Sequence, residues 1–323
     1  MSTQDPYSPL RPIMARTRTA MNERDFHHAV NVTFHKYESR DYDRIHRHMW
    51  ESLPRQFSLL VNDILTSGVP LPDSISLLDI GCGTGLATDC LLRTPLGERV
   101  KSITLLDTSS AMLEQARTRS ATWGGRPIRT IEGILDQVPD ESRFELIITS
   151  SVLHHIPDLI SFFGAVGRLQ GQNHLFLHVQ DPHGDATSDP ELVRRRAEVV
   201  PQDAPSLLSR ILGRVEREIK GTQGKNCEAL TIRDLNESGV TPIPMTDAEL
   251  YAITDIHVQS GQGISIRALE SELKTHKLIQ SRSYAFFGVL ESELDPARRE
   301  QELAAIARGD SNGEYVGAVW QHL

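Results

Sequence analysis

The stretch Leu77-Leu78-Asp79-Ile80-Gly81-Cys82-Gly83-Thr84-Gly85 decides how this chain folds. An apolar run from Ser74 to Ile80 leads into it, the pattern of a strand covered on both faces. Leu86-Ala87-Thr88-Asp89-Cys90-Leu91-Leu92 follows and reads as a helix. Glycines at the turn let the backbone bend sharply and approach a ligand closely, because no Cβ intervenes. Strand, glycine turn and helix together form a nucleotide-binding arrangement. The spacing narrows the nucleotide. A P-loop needs a lysine that is missing here, and a dinucleotide fingerprint spaces its glycines as Gly-x-Gly-x-x-Gly. This chain has Gly-x-Gly-x-Gly, with Asp79 two residues before the first glycine.

The next apolar run, Ser102-Ile103-Thr104-Leu105-Leu106, ends in Asp107 and continues as Thr108-Ser109-Ser110-Ala111-Met112-Leu113. An acid closing the second strand, roughly 20 residues past the glycine turn, is placed to receive ribose hydroxyls. A carboxylate suits that task because it offers only acceptors. The serines supply an N-cap for the helix that follows.

Together these two stretches resemble the first two motifs of class I S-adenosylmethionine (SAM)-dependent methyltransferases. The resemblance covers about residues 70–181 and 265–323. It implies an α/β fold: a doubly wound, mostly parallel seven-stranded sheet whose final strand runs antiparallel. SAM is the implied cofactor. The resemblance carries cofactor contacts onto Asp79, Gly81, Cys82, Gly83, Gly85, Asp107, Thr108, Met112, Ile134, Leu135, Ser150 and Tyr42. Asp79 would face the amino group of the methionine moiety and Asp107 the ribose, while Tyr42, or its neighbour Tyr37, would close over the methionine end. One position departs from the family pattern. Where an acid often meets the adenine amino group, this chain has Ile134, so either Asp136 or the backbone of Ile134 and Leu135 would take that contact.

Further strands are expected over Pro127–Gly133, Phe144–Ser150 and Asn173–Asp181. Ligands of open α/β sheets bind outside the carboxyl ends of strands, so Ser151-Val152-Leu153-His154-His155 should border the cleft. A histidine there has an unperturbed pKa of ~6.5, suited to general base catalysis near neutrality. His154 and His155 are therefore candidate catalytic residues, with packing of the next helix as the alternative. His257, with Asp255 and Tyr251, lies on or just after a helix announced by the capping box Thr246-Asp247-Ala248-Glu249. It is a third candidate, although stabilising the lid is the reading its position favours. His178, Asp181, His183 and Asp185 could be drawn as a metal cluster, but strand alternation sends neighbours to opposite faces. No metal is expected.

Four segments follow from composition and punctuation. Residues 1–24, proline-bearing and without periodicity, read as a flexible arm, and 25–70 as an N-terminal helical cap. Residues 71–181 and 265–323 form the SAM-binding core, and 182–264 an inserted helical lid over the substrate. Within the lid, Leu207, Leu208, Ile211, Leu212, Val215 and Ile219 recur at helical spacing. Near the end, Leu278 to Leu290 is expected to give a strand through Tyr284–Val289, and Glu314–Trp320 the last one.

Composition sets limits on function. Lysine and arginine number 34 against 43 acids, a net charge of −9 with histidine neutral, which argues against a nucleic-acid substrate. No apolar run approaches the ~20 residues of a membrane span, and Met1–Arg18 lacks the apolar core of a secretory signal. Three cysteines without a Cys-x-x-Cys pair give neither a disulfide framework nor a zinc site. A cytoplasmic enzyme methylating an oxygen, nitrogen or carbon of a small molecule is the expectation, as monomer or homodimer. A non-methylating SAM enzyme and a non-catalytic scaffold of the same fold are the alternatives.

Overall fold

The computed structural model describes residues 5–39, 41–199, 227–259 and 263–323. Seven strands form one sheet in the order β3-β2-β1-β4-β5-β7-β6. They are β1 (Ile75–Ile80), β2 (Val100–Asp107), β3 (Ile128–Glu132), β4 (Leu146–Ser150), β5 (Leu175–Pro182), β6 (His276–Tyr284) and β7 (Tyr315–His322). The first five pair in parallel, and β7 runs antiparallel to both β5 and β6, as expected.

Alternation along the strands divides the core in two. Leu77, Leu105, Ile148, Leu177 and Val319 meet the helices α4 (Met49–Thr66), α5 (Leu86–Leu92) and α6 (Ser110–Ser120) on one face. Leu78, Leu106, Ile147, Phe176 and Trp320 meet α7 (Leu159–Arg168) and the short helix Ile266–Glu272 on the other. Strand order reverses between β1 and β4, which opens a crevice at the carboxyl ends of the strands.

Three expectations are corrected. Residues 5–18 are not a loose arm: α1 (Arg11–Thr17) follows a turn that inserts Leu10, fully buried, beside Phe26, Val30 and Tyr251. The proposed cap does not extend to residue 70, because α4 lies on the sheet with Leu53, Phe57, Leu60 and Ile64 in its core. Of the segment 25–70, α2 (which begins at Glu23 and ends at Glu38) and the short α3 (Tyr42–Ile45) stand over the crevice. The sixth strand ends at Tyr284, and the apolar run that follows is a buried turn. Ala285 and Gly288 adopt positive φ there (59° and 71°), and the Glu302 carboxylate accepts from the amides of Ala285 and Phe286.

Beyond the sheet, α8 (Pro190–Val199) starts at its proline as expected, and α9 (Cys227–Glu237) packs on α2. The capping box is formed: Thr246 and Glu249 exchange bonds at the start of α10 (Asp247–Thr254). The helix expected through Leu207–Ile219 lies outside the described residues. Among the described residues no helix is long and apolar enough to cross a membrane.

Candidate active site

The crevice holds a cavity of about 530 Å³. Its floor is the carboxyl ends of β1, β2 and β4, and its roof is one face of α2. Arg24, His27, His28, Asn31 and His35 recur at helical spacing along that face.

Local geometry explains the glycine loop. Gly81 has φ 63°, and a Cβ there would lie 2.6 Å from Val152 Cγ2, so only glycine fits between loop and β4. Gly85, at φ 81°, faces the Trp123 ring, where a Cβ would sit at 3.1 Å. The Gly83 amide donates to Asp107 Oδ2 at 2.8 Å, and the Ser109 amide to Oδ1 at 2.9 Å. This acid therefore ties the glycine loop to the end of β2 while lining the cavity. Burial pushes its pKa up, against the opposing amides of Ser109 and Gly83.

Of the residues implied as cofactor contacts, Tyr42, Gly81, Gly83, Asp107, Thr108, Met112, Ile134, Leu135 and Ser150 line this one cavity. Tyr42 comes from α3, and burial raises its phenol. Ser150 Oγ is buried and has no hydrogen-bond partner among the described residues. Cys82 and Gly85 support the loop from outside the lining. Asp79 is fully buried and accepts from Thr88 Oγ1 at 2.6 Å. Burial lifts its pKa to about 7. It sits beneath the loop and outside the lining, away from the methionine contact the resemblance implies. Tyr37 turns away to Asp234, 2.9 Å from its hydroxyl. At the Ile134 position, the amide donates to Gln137 Oε1 at 2.7 Å, and Asp136 pairs with Arg24.

Of the three candidate catalytic histidines, only His155 lines the cavity. His155 Nδ1 is 2.5 Å from the Thr254 carbonyl oxygen and 3.3 Å from Asp255 Oδ1. Burial, then the neighbouring His154 and His35, hold its pKa well below the ordinary value. Behind it His154 Nδ1 is 2.9 Å from Asp181 Oδ1. His257 lies outside the lining, with Nε2 2.7 Å from the Ile156 carbonyl oxygen, a tie between α10's extension and the post-β4 turn.

Sequence reasoning missed a chain of alternating imidazoles and carboxylates running through this region. Glu38 lies 3.0 Å from both His35 and His46, and His35 packs edge-on against His155 with ring centroids 5.2 Å apart. Asp181 also takes His178, whose Nδ1 is at 3.2 Å. Residues three apart on a regular strand face opposite ways. A register shift in β5 between His178 and Asp181, with Gln180 at φ 67°, brings them together. His183 and Asp185 join a different group, with Ser265 and Arg267 on Asp185.

Against known proteins, the profile of the family described as methyltransferase domain matches residues 78–173. The polyketide synthase component of lovastatin nonaketide synthase from Aspergillus terreus is 40% identical over 91 residues, covering 27% of this chain and 3% of the synthase. Trans-aconitate 2-methyltransferase from Enterobacter sp. is 39% identical over 95 residues, covering 29% of this chain and 34% of that enzyme. The chain thus matches only a small part of the synthase and about a third of the second relative. The plantazolicin methyltransferase BpumL, solved with S-adenosylhomocysteine (SAH), aligns over 93% of this chain and 96% of its own at 11% identity, with a TM-score of 0.42. The profile match begins inside β1 and runs past α7, spanning the glycine loop and the acid that ties it down. Residues 78–173 are thus similar to a methyltransferase domain, and the sheet carries the strand order expected of the class I methyltransferase fold.

Proposed function

We propose that this protein transfers the methyl group of SAM to a small-molecule acceptor held beneath α2. One observation carries the reading. The glycine loop and the acid ending β2 are hydrogen-bonded to each other and line the same cavity, with Met112, Ile134 and Leu135 beside them. A volume of about 530 Å³ is in the range of small-ligand sites. The relatives named for their substrates include one acting on trans-aconitate, itself a small molecule.

The residues present fit the cofactor. Asp107 offers buried acceptors for ribose hydroxyls, Gly81 and Gly83 keep side chains out of the approach, and Met112, Ile134 and Leu135 give an apolar slot for the base. Ser150 Oγ, without a hydrogen-bond partner among the described residues, and Tyr42 line the same cavity and would meet the methionine end. When bound, SAM supplies a methyl already activated by its sulfonium charge. The protein's task is then mainly to align the two reactants. Tyr42 and α2 exclude water, and His155, backed by His154 and Asp255, forms the polar wall against which the acceptor atom is set. His257 positions that wall through the Ile156 carbonyl.

Isothermal titration with SAM and with SAH tests the reading. Binding of both in the micromolar range or tighter, followed by SAH release with a small acceptor, is the expected result. Absence of binding by the folded protein would sink it.

A further inference from the structure

We infer that His35 and Glu38 of α2 form a base dyad that takes the proton from a hydroxyl acceptor during methyl transfer. The inference rests on the methyl-transfer reading above and names the acceptor class for it. The two residues are three apart on one helix, the separation that puts side chains on the same face. His35 Nδ1 lies 3.0 Å from Glu38 Oε2. A carboxylate only accepts, so Nδ1 carries the hydrogen and Nε2 keeps the lone pair. Nε2 has no hydrogen-bond partner among the described residues, yet it is not a buried orphan: the His35 side chain is 21% exposed and lines the cavity. Glu38 is held from its other oxygen by His46 Nε2, 3.0 Å from Oε1, just past α3.

Charge placement favours this histidine over its neighbour. His35 and His155 pack edge-on and both line the cavity, so either could border the acceptor atom. His155 spends Nδ1 on the Thr254 carbonyl, and burial, then His154 and His35, make it a weak base. Around His35 the charges run the other way. Glu38 faces it from α2, Asp107 from the end of β2 and Asp255 from beyond α10, while His155 opposes from the turn after β4. Tyr42 and His46 flank Glu38 on its far side. Burial disfavours a charge on the His35 ring, but the Glu38 hydrogen bond and the three carboxylates outweigh it and raise its pKa. Burial also opposes charge on Glu38, yet hydrogen bonds from His35 and His46 hold it well below the ordinary carboxylate range. A carboxylate that fixes the tautomer of an imidazole and stabilises its protonated form makes histidine an effective base.

The step balances without a further reactant. The acceptor hydroxyl gives its proton to His35 Nε2. Its oxygen pair forms the new C–O bond, the C–S bond breaks, and that pair returns to sulfur. The imidazolium, stabilised by Glu38, gives its proton to water once the product leaves. An amine attacks through a pair it already has, whereas a hydroxyl becomes a strong nucleophile only as its proton departs. The dyad therefore fits an alcohol or phenol acceptor.

Nitrogen-15 and carbon-13 NMR of the whole chain reads the His35 ring, assigned by the signals that vanish in His35→Gln. The neutral ring should carry its proton on Nδ1 and titrate above the ordinary value of about 6.5, and Glu38→Gln should lower that pKa by about one unit or more. Methyl transfer is read as SAH release with phenol and with 4-nitrophenol, whose nitro group leaves it largely ionised near neutrality. With phenol the rate should climb about tenfold per pH unit below the His35 pKa, and that limb should move to lower pH in Glu38→Gln. His35→Gln should lose about 100-fold or more with phenol and less than about tenfold with 4-nitrophenol. A neutral ring protonated on Nε2, a pKa at or below about 6.5, a pKa unmoved in folded Glu38→Gln, or equal losses with the two phenols would overturn the dyad. Should neither phenol react or a variant fail to fold, the wild-type tautomer and pKa decide. Calorimetry with SAM separates the two readings. Cofactor binding with the wrong tautomer or pKa defeats only the dyad, whereas absence of cofactor binding defeats the methyl-transfer reading and the dyad with it.

Discussion

Asp107 ties the glycine loop to the end of β2 and lines the cavity with the same side chain. Its two oxygens hold the amides of Gly83 and Ser109, so the loop and the following helix are set by the carboxylate that also faces the cavity. Replacing it by alanine removes the proposed ribose acceptors and frees the loop together. Asp107→Ala should weaken SAM binding at least tenfold, about 1.4 kcal/mol or more, with the far-ultraviolet circular dichroism unchanged. Unchanged affinity by calorimetry would remove the ribose role. This residue was legible in the sequence because its meaning is local: a strand, a glycine turn and an acid at fixed separation. The wall around His155 was legible only in pieces. His154 and His155 follow β4 directly, whereas Asp255 is brought in from a helix about one hundred positions away. Asp181 needs an irregularity in β5 that no spacing announces.

At the scale of elements, the strongest disagreement lies at the N-terminus. Pro6, Pro9 and Pro12 with no periodicity suggested a loose arm, but proline is well suited to the first turn of a helix. Leu10, with Tyr7, Ile13 and Met14 packed against the same cluster and Arg16 paired with Glu249, binds the segment to α2 and α10. The Leu10 side chain is fully buried among Phe26, Val30, Leu250 and Tyr251. Leu10→Ala should cost about 2–5 kcal/mol, the range for leucine truncation in a packed core. Urea unfolding measures the loss, and proteolysis should cut first between α1 and α2. A cost below about 0.5 kcal/mol would mean the arm is only lightly attached. The apolar run after Tyr284 misled for another reason. Buried strands and buried turns share composition, and the difference rests on positive φ at Ala285 and Gly288 and on the distant Glu302.

For the molecule as a whole, histidine sets the response to acid. His276 is buried where β6 meets α7. Its neutral ring is satisfied there, with Nδ1 2.9 Å from the Thr275 hydroxyl and Nε2 3.0 Å from Gln170 Oε1. Burial, with His322 nearby, lowers its pKa to about 4 from an ordinary 6.5. His27, buried on α2 beside the Tyr7 ring, is lowered to about 4 in the same way. A folded-state pKa below the unfolded one means the unfolded chain binds protons first. The stabilisation is therefore complete above about pH 6.5 and drains away as pH falls towards 4. Each pH unit in that window is worth about 1.4 kcal/mol per group, so His276 alone accounts for roughly 2 kcal/mol between pH 6.5 and 5. His276→Gln stays neutral throughout. Its urea-unfolding free energy should fall less steeply than the wild type's from pH 7 to 5, the two curves converging by about that amount. Parallel curves would show that the folded protein takes up the proton at His276 as easily as the unfolded chain does. The sheet edge would then be looser than its packing around Phe163 and Trp320 implies.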